Sequence, residues 1–235
     1  MNMPVRRNER PQLPCLENGD RLTRDEFERR YHAMPHVKKA ELIDGVVYMA
    51  SPVNHQFHGG PHIDLATWVS VYRASTPGTD AGDNSTVRLD LETEPQPDVL
   101  LLIDPDHGGA VTIDAEGYIN GSPELVAEVS ASSASIDMHR KLEVYRRNST
   151  CEYLVWRVYE EAMDWFALRN GQFVALAPDP ADGLIKSEVF PGLWLDAPAM
   201  LRRDLAAVLV ALQRGLASPE HAAFVARLAA ARQSP

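Results

Sequence analysis

The chain has 235 residues, 45% hydrophobic and 24% charged, which suits one compact domain with a real core and leaves too little for a second full domain. Its formal net charge of −10 excludes a protein coated in basic surface, so any contact with nucleic acid has to come from a local patch or from metal ions bridging to phosphate. Cys15 and Cys151 stand far apart without metal-ligand spacing, no apolar run reaches the roughly 18 residues that span a bilayer, and the first residues lack the apolar centre of a secretory signal. The expectation is a soluble protein of a reducing cytoplasm, with no membrane partner.

Residues 1–20, rich in Arg, Asn and Pro, read as a flexible arm. Thr23 is a candidate N-cap for a short amphipathic helix over 24–32, and 40–49 reads as strand with Asp44-Gly45 as a hairpin turn. Helical spacing begins at Pro61 and runs to Arg73, with Gly59, Gly60 and Pro61 expected to interrupt any helix that starts earlier. Strands are predicted over 79–84 and 86–91, followed by the unbroken apolar run 98–103, which the pattern places at the centre of a sheet. Residues 104–122, rich in Asp, Gly, His and Pro, read as an excursion with one β-like patch at 111–113. A second buried strand follows at 124–130, then a helix over 136–147 capped by Ser132, Ser133 or Ser135. Three antiparallel strands are predicted over 151–158, 162–168 and 172–177, with Asn170-Gly171 turning the last pair. A short stretch at 193–195 precedes helices over 198–212 and 219–230, so that 21–196 forms the main domain and 197–235 a helical extension suited to packing or self-association into a homo-oligomer.

The informative segment runs from Pro97 to Lys141. Asp98 opens one apolar strand and Glu128 lies inside another, positions where a solvated surface charge is not expected. Taken singly, Asp98 has a bland reading as strand-entry chemistry, and Asp137 with Lys141, four residues apart, as a surface pair worth a few tenths of a kcal/mol. Glu128, between Ala127 and Val129, has no such reading, because its carboxylate needs a partner or a metal. Two adjacent strands joined by the excursion would let Asp98 and Glu128 meet, and a helix packed over the sheet would return Lys141 to the strand end. Two carboxylates and the Val129 carbonyl suit Mg²⁺, with Mn²⁺ as a substitute, and a nearby lysine can orient water or offset charge on a phosphate undergoing hydrolysis.

The sequence resembles the restriction-endonuclease-like Uma-two family, a branch of the PD-(D/E)XK nuclease superfamily. The matching pieces are Glu41-Leu-Ile-Asp-Gly45, Gln96-Pro-Asp98 with its apolar strand, Pro123-Glu-Leu-Val-Ala-Glu128-Val-Ser130, then Asp137, Lys141 and Tyr145, and Glu152-Tyr-Leu-Val-Trp156. The resemblance implies an α/β fold with a nuclease core: a central mixed sheet flanked by helices, followed here by the C-terminal helices. It implies Asp98 and Glu128 as metal ligands, Glu41 as an additional acid, and DNA as the substrate. The superfamily's usual lysine lies two residues after the second acid; here that place is Ser130, and Lys141 matches a lysine migrated to the following helix.

Ser130, Asp137 and His55 are further candidates for substrate contact. His55, His58 and His62 have zinc-like spacing, but the glycines and proline between them argue against one shared helical face. No serine-hydrolase elbow, phosphate-binding loop or dinucleotide fingerprint occurs. The leading expectation is a metal-dependent endonuclease acting on DNA phosphodiesters; its rival is an inactive binding or assembly protein on the same fold.

Overall fold

The computed structural model describes residues 13–50, 52–131 and 136–232. Ser132, Ser133 and Ser135, expected as helix caps, lie outside the described residues, as do residues 1–12 of the expected arm. Residues 13–20 pack on the first hairpin, with Leu16 buried and the Gly19 N–H donating to the Val47 carbonyl at 2.8 Å.

Helix α1 (Arg24–His32) leads to the hairpin of β1 (Ala40–Ile43) and β2 (Val46–Met49). Asp44 and Gly45 turn it with φ of 54° and 70°, the left-handed pair whose twist matches that of the strands. A wide helical turn of the i→i+5 kind, His55–Gly59, runs directly into α2 (Gly60–Ser75). The expected interruption at Gly59, Gly60 and Pro61 therefore does not occur. Gly60 and Pro61 occupy the opening positions of α2, where proline's missing N–H is not needed, and the Asn54 side chain caps the preceding turn.

After α2 come β3 (Thr79–Asp83), β4 (Val87–Arg88), β5 (Val99–Ile103), β6 (Thr112–Ile113), β7 (Ile119–Asn120) and β8 (Leu125–Ser130). A second wide turn, Ile136–Lys141, opens the short α3 (Leu142–Arg147), so the helix expected over 136–147 begins as this turn. Then follow β9 (Glu152–Arg157), β10 (Ala162–Arg169), β11 (Gln172–Ala175), β12 (Ile185–Lys186), β13 (Trp194–Leu195), α4 (Ala197–Leu201), α5 (Leu205–Leu216) and α6 (Pro219–Ala231). The helix expected over 198–212 is divided. Arg203, at φ 61°, closes α4 in the left-handed region, and the Asp204 side chain caps α5 by accepting from the Ala207 N–H at 3.1 Å. The strand expected over 86–91 shortens to β4, which joins β7 and β6 in a small sheet built from the excursion.

The main sheet has the order β11-β10-β9-β8-β5-β3; β8 and β9 are parallel and the other neighbours antiparallel, the mixed arrangement anticipated. Every residue of β8 is buried, which explains its continuous apolar run. Alternation divides the strands between two cores. Leu125, Ala127 and Val129 of β8 join Trp68 of α2, Val208 and Leu212 of α5 and Phe224 of α6. Val126 faces the other way, with Tyr153 and Val155 of β9, against Tyr145 of α3. Glu128, two residues beyond Val126, is on the α3 side.

One acid of the resembling motif has a structural task. The carboxylate of Glu152 accepts from the Glu188 N–H (2.6 Å), the Ser187 hydroxyl (2.8 Å) and the Trp165 indole (3.2 Å), tying β9 to the segment before β13. Burial pushes its pKa up from 4.5 to about 7, against the pull of these donors. The folded state thus holds the proton to higher pH than the unfolded chain. The associated stability is complete below about pH 4.5 and is lost as pH rises through about 7, a span worth about 3 kcal/mol. Urea unfolding of parent and Glu152→Gln between pH 4.5 and 8 is expected to show the parent losing stability relative to the variant as pH rises.

Candidate active site

Strand register brings the two acids together. The pairs Leu100↔Val126 and Val99↔Ala127, continued by one residue, set Asp98 opposite Glu128 at the point where the β5–β8 ladder ends. Both are almost fully buried, at 2% and 3% exposure. The Val129 N–H, left without a ladder partner, donates to Asp98 Oδ2 at 2.8 Å. Because a strand residue directs its N–H and C=O to the same edge, the Val129 carbonyl also faces the Asp98 side.

The acids have different company. Lys39 Nζ lies 3.1 Å from Asp98 Oδ1, and His58 Nε2 lies 3.3 Å from Oδ2. Burial opposes ionisation of Asp98, but the His58 contact, the Lys39 charge and the Val129 N–H outweigh it and hold the carboxyl well below the usual range. Glu128 Oε1 is 2.9 Å from Lys141 Nζ and accepts from the Tyr145 hydroxyl at 3.3 Å. Its pKa is pushed up to about 8, first by burial and then by the carboxylates of Asp98, Asp137 and Glu41, which together exceed the opposing pull of Lys141.

Lys141, 5% exposed, is the shared cation of this side. Its Nζ is also 2.9 Å from Glu41 Oε1 and 3.8 Å from Asp137 Oδ1. Burial works against its charge, yet Glu128, Glu41 and Asp137 raise its pKa well above 10.5, so the ammonium stays charged and divides its attraction among three acids. Glu41 is held in turn by the Gln96 N–H at 2.8 Å. Lys141 therefore reaches back from its turn to the second acid, although Ser130 occupies the place two residues after it.

Glu41, Asp98, Glu128, Asp137, Lys39 and Lys141 all line one cleft of about 690 Å³, with Val129, His58 and His62 in its wall. Four carboxyl groups there face two ammonium groups. Among the described residues, no three His, Cys, Asp or Glu side chains form a ready-made metal cage. The donors do fit a hard cation of the kind that takes one or two carboxylates and completes its shell with water and phosphate: two opposed carboxyl groups, a carbonyl edge and open cleft volume.

Two expected substrate contacts fall elsewhere. Ser130 is wholly buried, with its carbonyl accepting the Val158 N–H at 2.9 Å, and His55 is exposed at the start of its turn; neither lines the cleft. His58 and His62 do, packed edge to face at 5.6 Å between ring centres, and His62 Nε2 lies 2.8 Å from Asp83 Oδ1. Lys39, His58 and Asn84 were not singled out for this site by sequence. Lys39 carried a signal: it stands two residues before Glu41, on the same face of an extended segment.

The fold is similar to that of a protein from Anabaena variabilis ATCC 29413, described as a putative nuclease belonging to DUF820. The two share 13% identity at a TM-score of 0.51, over 74% of this chain and 97% of the other. The chain thus shares the fold of a nuclease-fold protein. The family profile of Uma2, described as putative restriction endonuclease, matches residues 24–198, and the chain belongs to this family. No curated protein matches the sequence.

Replacing Lys141 by Met would leave Glu41, Glu128 and Asp137 without their shared cation. The expected loss is about 3–5 kcal/mol at neutral pH, measured by urea unfolding, and it should shrink toward acid pH as the carboxylates protonate.

Proposed function

We propose that the protein is a divalent-cation-dependent endonuclease that hydrolyses DNA phosphodiester bonds. The observation that carries this reading is the placement of Asp98 opposite Glu128 at the end of a ladder, with Lys141 against the second acid, in a single cleft. The cleft sets four carboxyl groups against the two ammonium groups of Lys39 and Lys141, an excess of acid that a bound divalent cation would offset. The pKa of Glu128 is raised first by burial and then by the neighbouring carboxylates of Asp98, Asp137 and Glu41.

In this reading Asp98, Glu128 and the Val129 carbonyl hold Mg²⁺, for which Mn²⁺ can substitute. A bound cation of this type would supply an acidified water and offset the charge that develops on the phosphate. Lys141 keeps Glu128 and Glu41 in position and stands where it can orient the attacking water, while Asp137 contributes to its field. Glu41 secures Lys141 from the hairpin side. Tyr145 fixes the Glu128 carboxyl from below through its hydroxyl.

The test combines binding with turnover. Mn²⁺ at a hundredfold excess over its Kd is expected to stabilise the parent by about 2.7 kcal/mol in thermal unfolding. Plasmid cleavage in Mg²⁺ or Mn²⁺ is expected to fall at least about 100-fold in Asp98→Ala and Glu128→Ala, and the Mn²⁺ stabilisation should vanish with it. A parent that neither gains stability nor cuts DNA would favour the binding or assembly role instead.

A further inference from the structure

Two lysines reach the acidic centre, and their surroundings give them different capacities. The Lys141 side chain is 6% exposed, and its ammonium is enclosed by Glu41 and Glu128 at 2.9 Å and Asp137 at 3.8 Å. Its Nζ donates to Glu41 and Glu128 and has the Asp137 carboxyl beside it, so it is tied to internal acids on the closed side of the cleft. The Lys39 side chain is 26% exposed. Its Nζ donates to Asn84 Oδ1 at 2.8 Å and Asp98 Oδ1 at 3.1 Å, which leaves one of three N–H groups for the open side of the cleft.

Backbone geometry holds Lys39 in that position. The Ala50 N–H donates to the Lys39 carbonyl at 3.3 Å, so hairpin pairing extends past β1 and places Lys39 on the same face as Glu41. Asn84, at φ 48°, sits in the left-handed region that asparagine tolerates, and its Nδ2 donates to Asp83 Oδ1 at 2.7 Å. The amide oxygen that receives Lys39 is therefore oriented by its own loop.

We propose that Lys39 is the phosphate-contacting cation of the cleft: its ammonium turns from the outer oxygen of Asp98 to a non-bridging oxygen of the DNA phosphodiester, with Asn84 keeping its aim. The inference rests on the nuclease reading above. A phosphate placed to react must lie against Asp98 and Glu128. Lys39 is the ammonium on the open side of that position, whereas Lys141 has no comparable freedom to leave its acids without stranding buried charge. This divides the work of two lysines, one orienting the acids and the water, the other recognising the charge of the DNA backbone.

The test is the salt dependence of DNA binding, followed by fluorescence anisotropy of a labelled duplex in Ca²⁺, with Lys186→Ala as a control on a lysine paired with Asp179 away from the cleft. Lys39→Ala and Lys39→Gln are expected to reduce the slope of log K against log salt concentration by about 1 and to weaken binding about tenfold, and Lys39→Arg to retain the parent slope. Lys39→Gln keeps the stem and a donor for Asn84, so its loss of slope separates lost charge from lost packing. Parent-like slopes in both uncharged variants would overturn the role of Lys39 and leave the nuclease reading standing. A parent that fails to bind the duplex would overturn both.

Discussion

The ammonium of Lys141 brings three separate parts of the chain to one point. It enters an almost dry floor, where an unpaired charge would cost several kcal/mol, and meets Glu41 from the first hairpin, Glu128 from the centre of the sheet and Asp137 from its own turn. Those contacts fix how the hairpin sits against the sheet and where α3 begins. The wide turn Ile136–Lys141 is part of the same arrangement, since it is the segment that carries both Asp137 and Lys141 into the floor. Such turns recur at functional sites because they redirect side chains that a regular helix would place elsewhere.

Around that point the two opposed acids are treated unequally. Asp98 receives a backbone N–H and has Lys39 and His58 beside it, so its ionised form is favoured. Glu128 is buried and faces the carboxylates of Asp98, Asp137 and Glu41, which with burial outweigh the pull of Lys141, so its neutral form persists to higher pH. One strand end therefore offers a carboxyl group held ionised beside another whose neutral form is favoured. On the nuclease reading, this is how a chain with a formal net charge of −10 can still accept a polyanion: positive charge is needed locally, from Lys39 and the bound cation.

Much of this was legible in the sequence because it depends on local pattern. The unbroken apolar runs marked β5 and β8, Asp44-Gly45 and Asn170-Gly171 marked their hairpins, and an acid inside Leu-Val-Ala-Glu-Val-Ser demanded a partner. Lys39 and Asn84 were missed because their roles depend on contacts 59 residues apart, Lys39 with Asp98, and 45 residues apart, Lys39 with Asn84. The glycines and proline between the histidines were expected to break the helix, whereas it runs through Gly59 and Gly60 and delivers His58 and His62 to the cleft. The break between α4 and α5 was hidden for a different reason: Arg203 adopts a left-handed conformation that its residue type does not announce, accompanied by an ion pair to Asp64 at 2.7 Å.

The central claim is that Asp98 and Glu128 share one cation in the cleft that Lys141 borders. Anomalous diffraction from crystals of the protein soaked in Mn²⁺ tests it most directly. The account predicts an anomalous peak within coordinating distance of both carboxylates and of the Val129 carbonyl, with Lys141 still against Glu128. A cleft without a peak at saturating Mn²⁺, or Mn²⁺ bound only at surface acids away from Asp98 and Glu128, would contradict it.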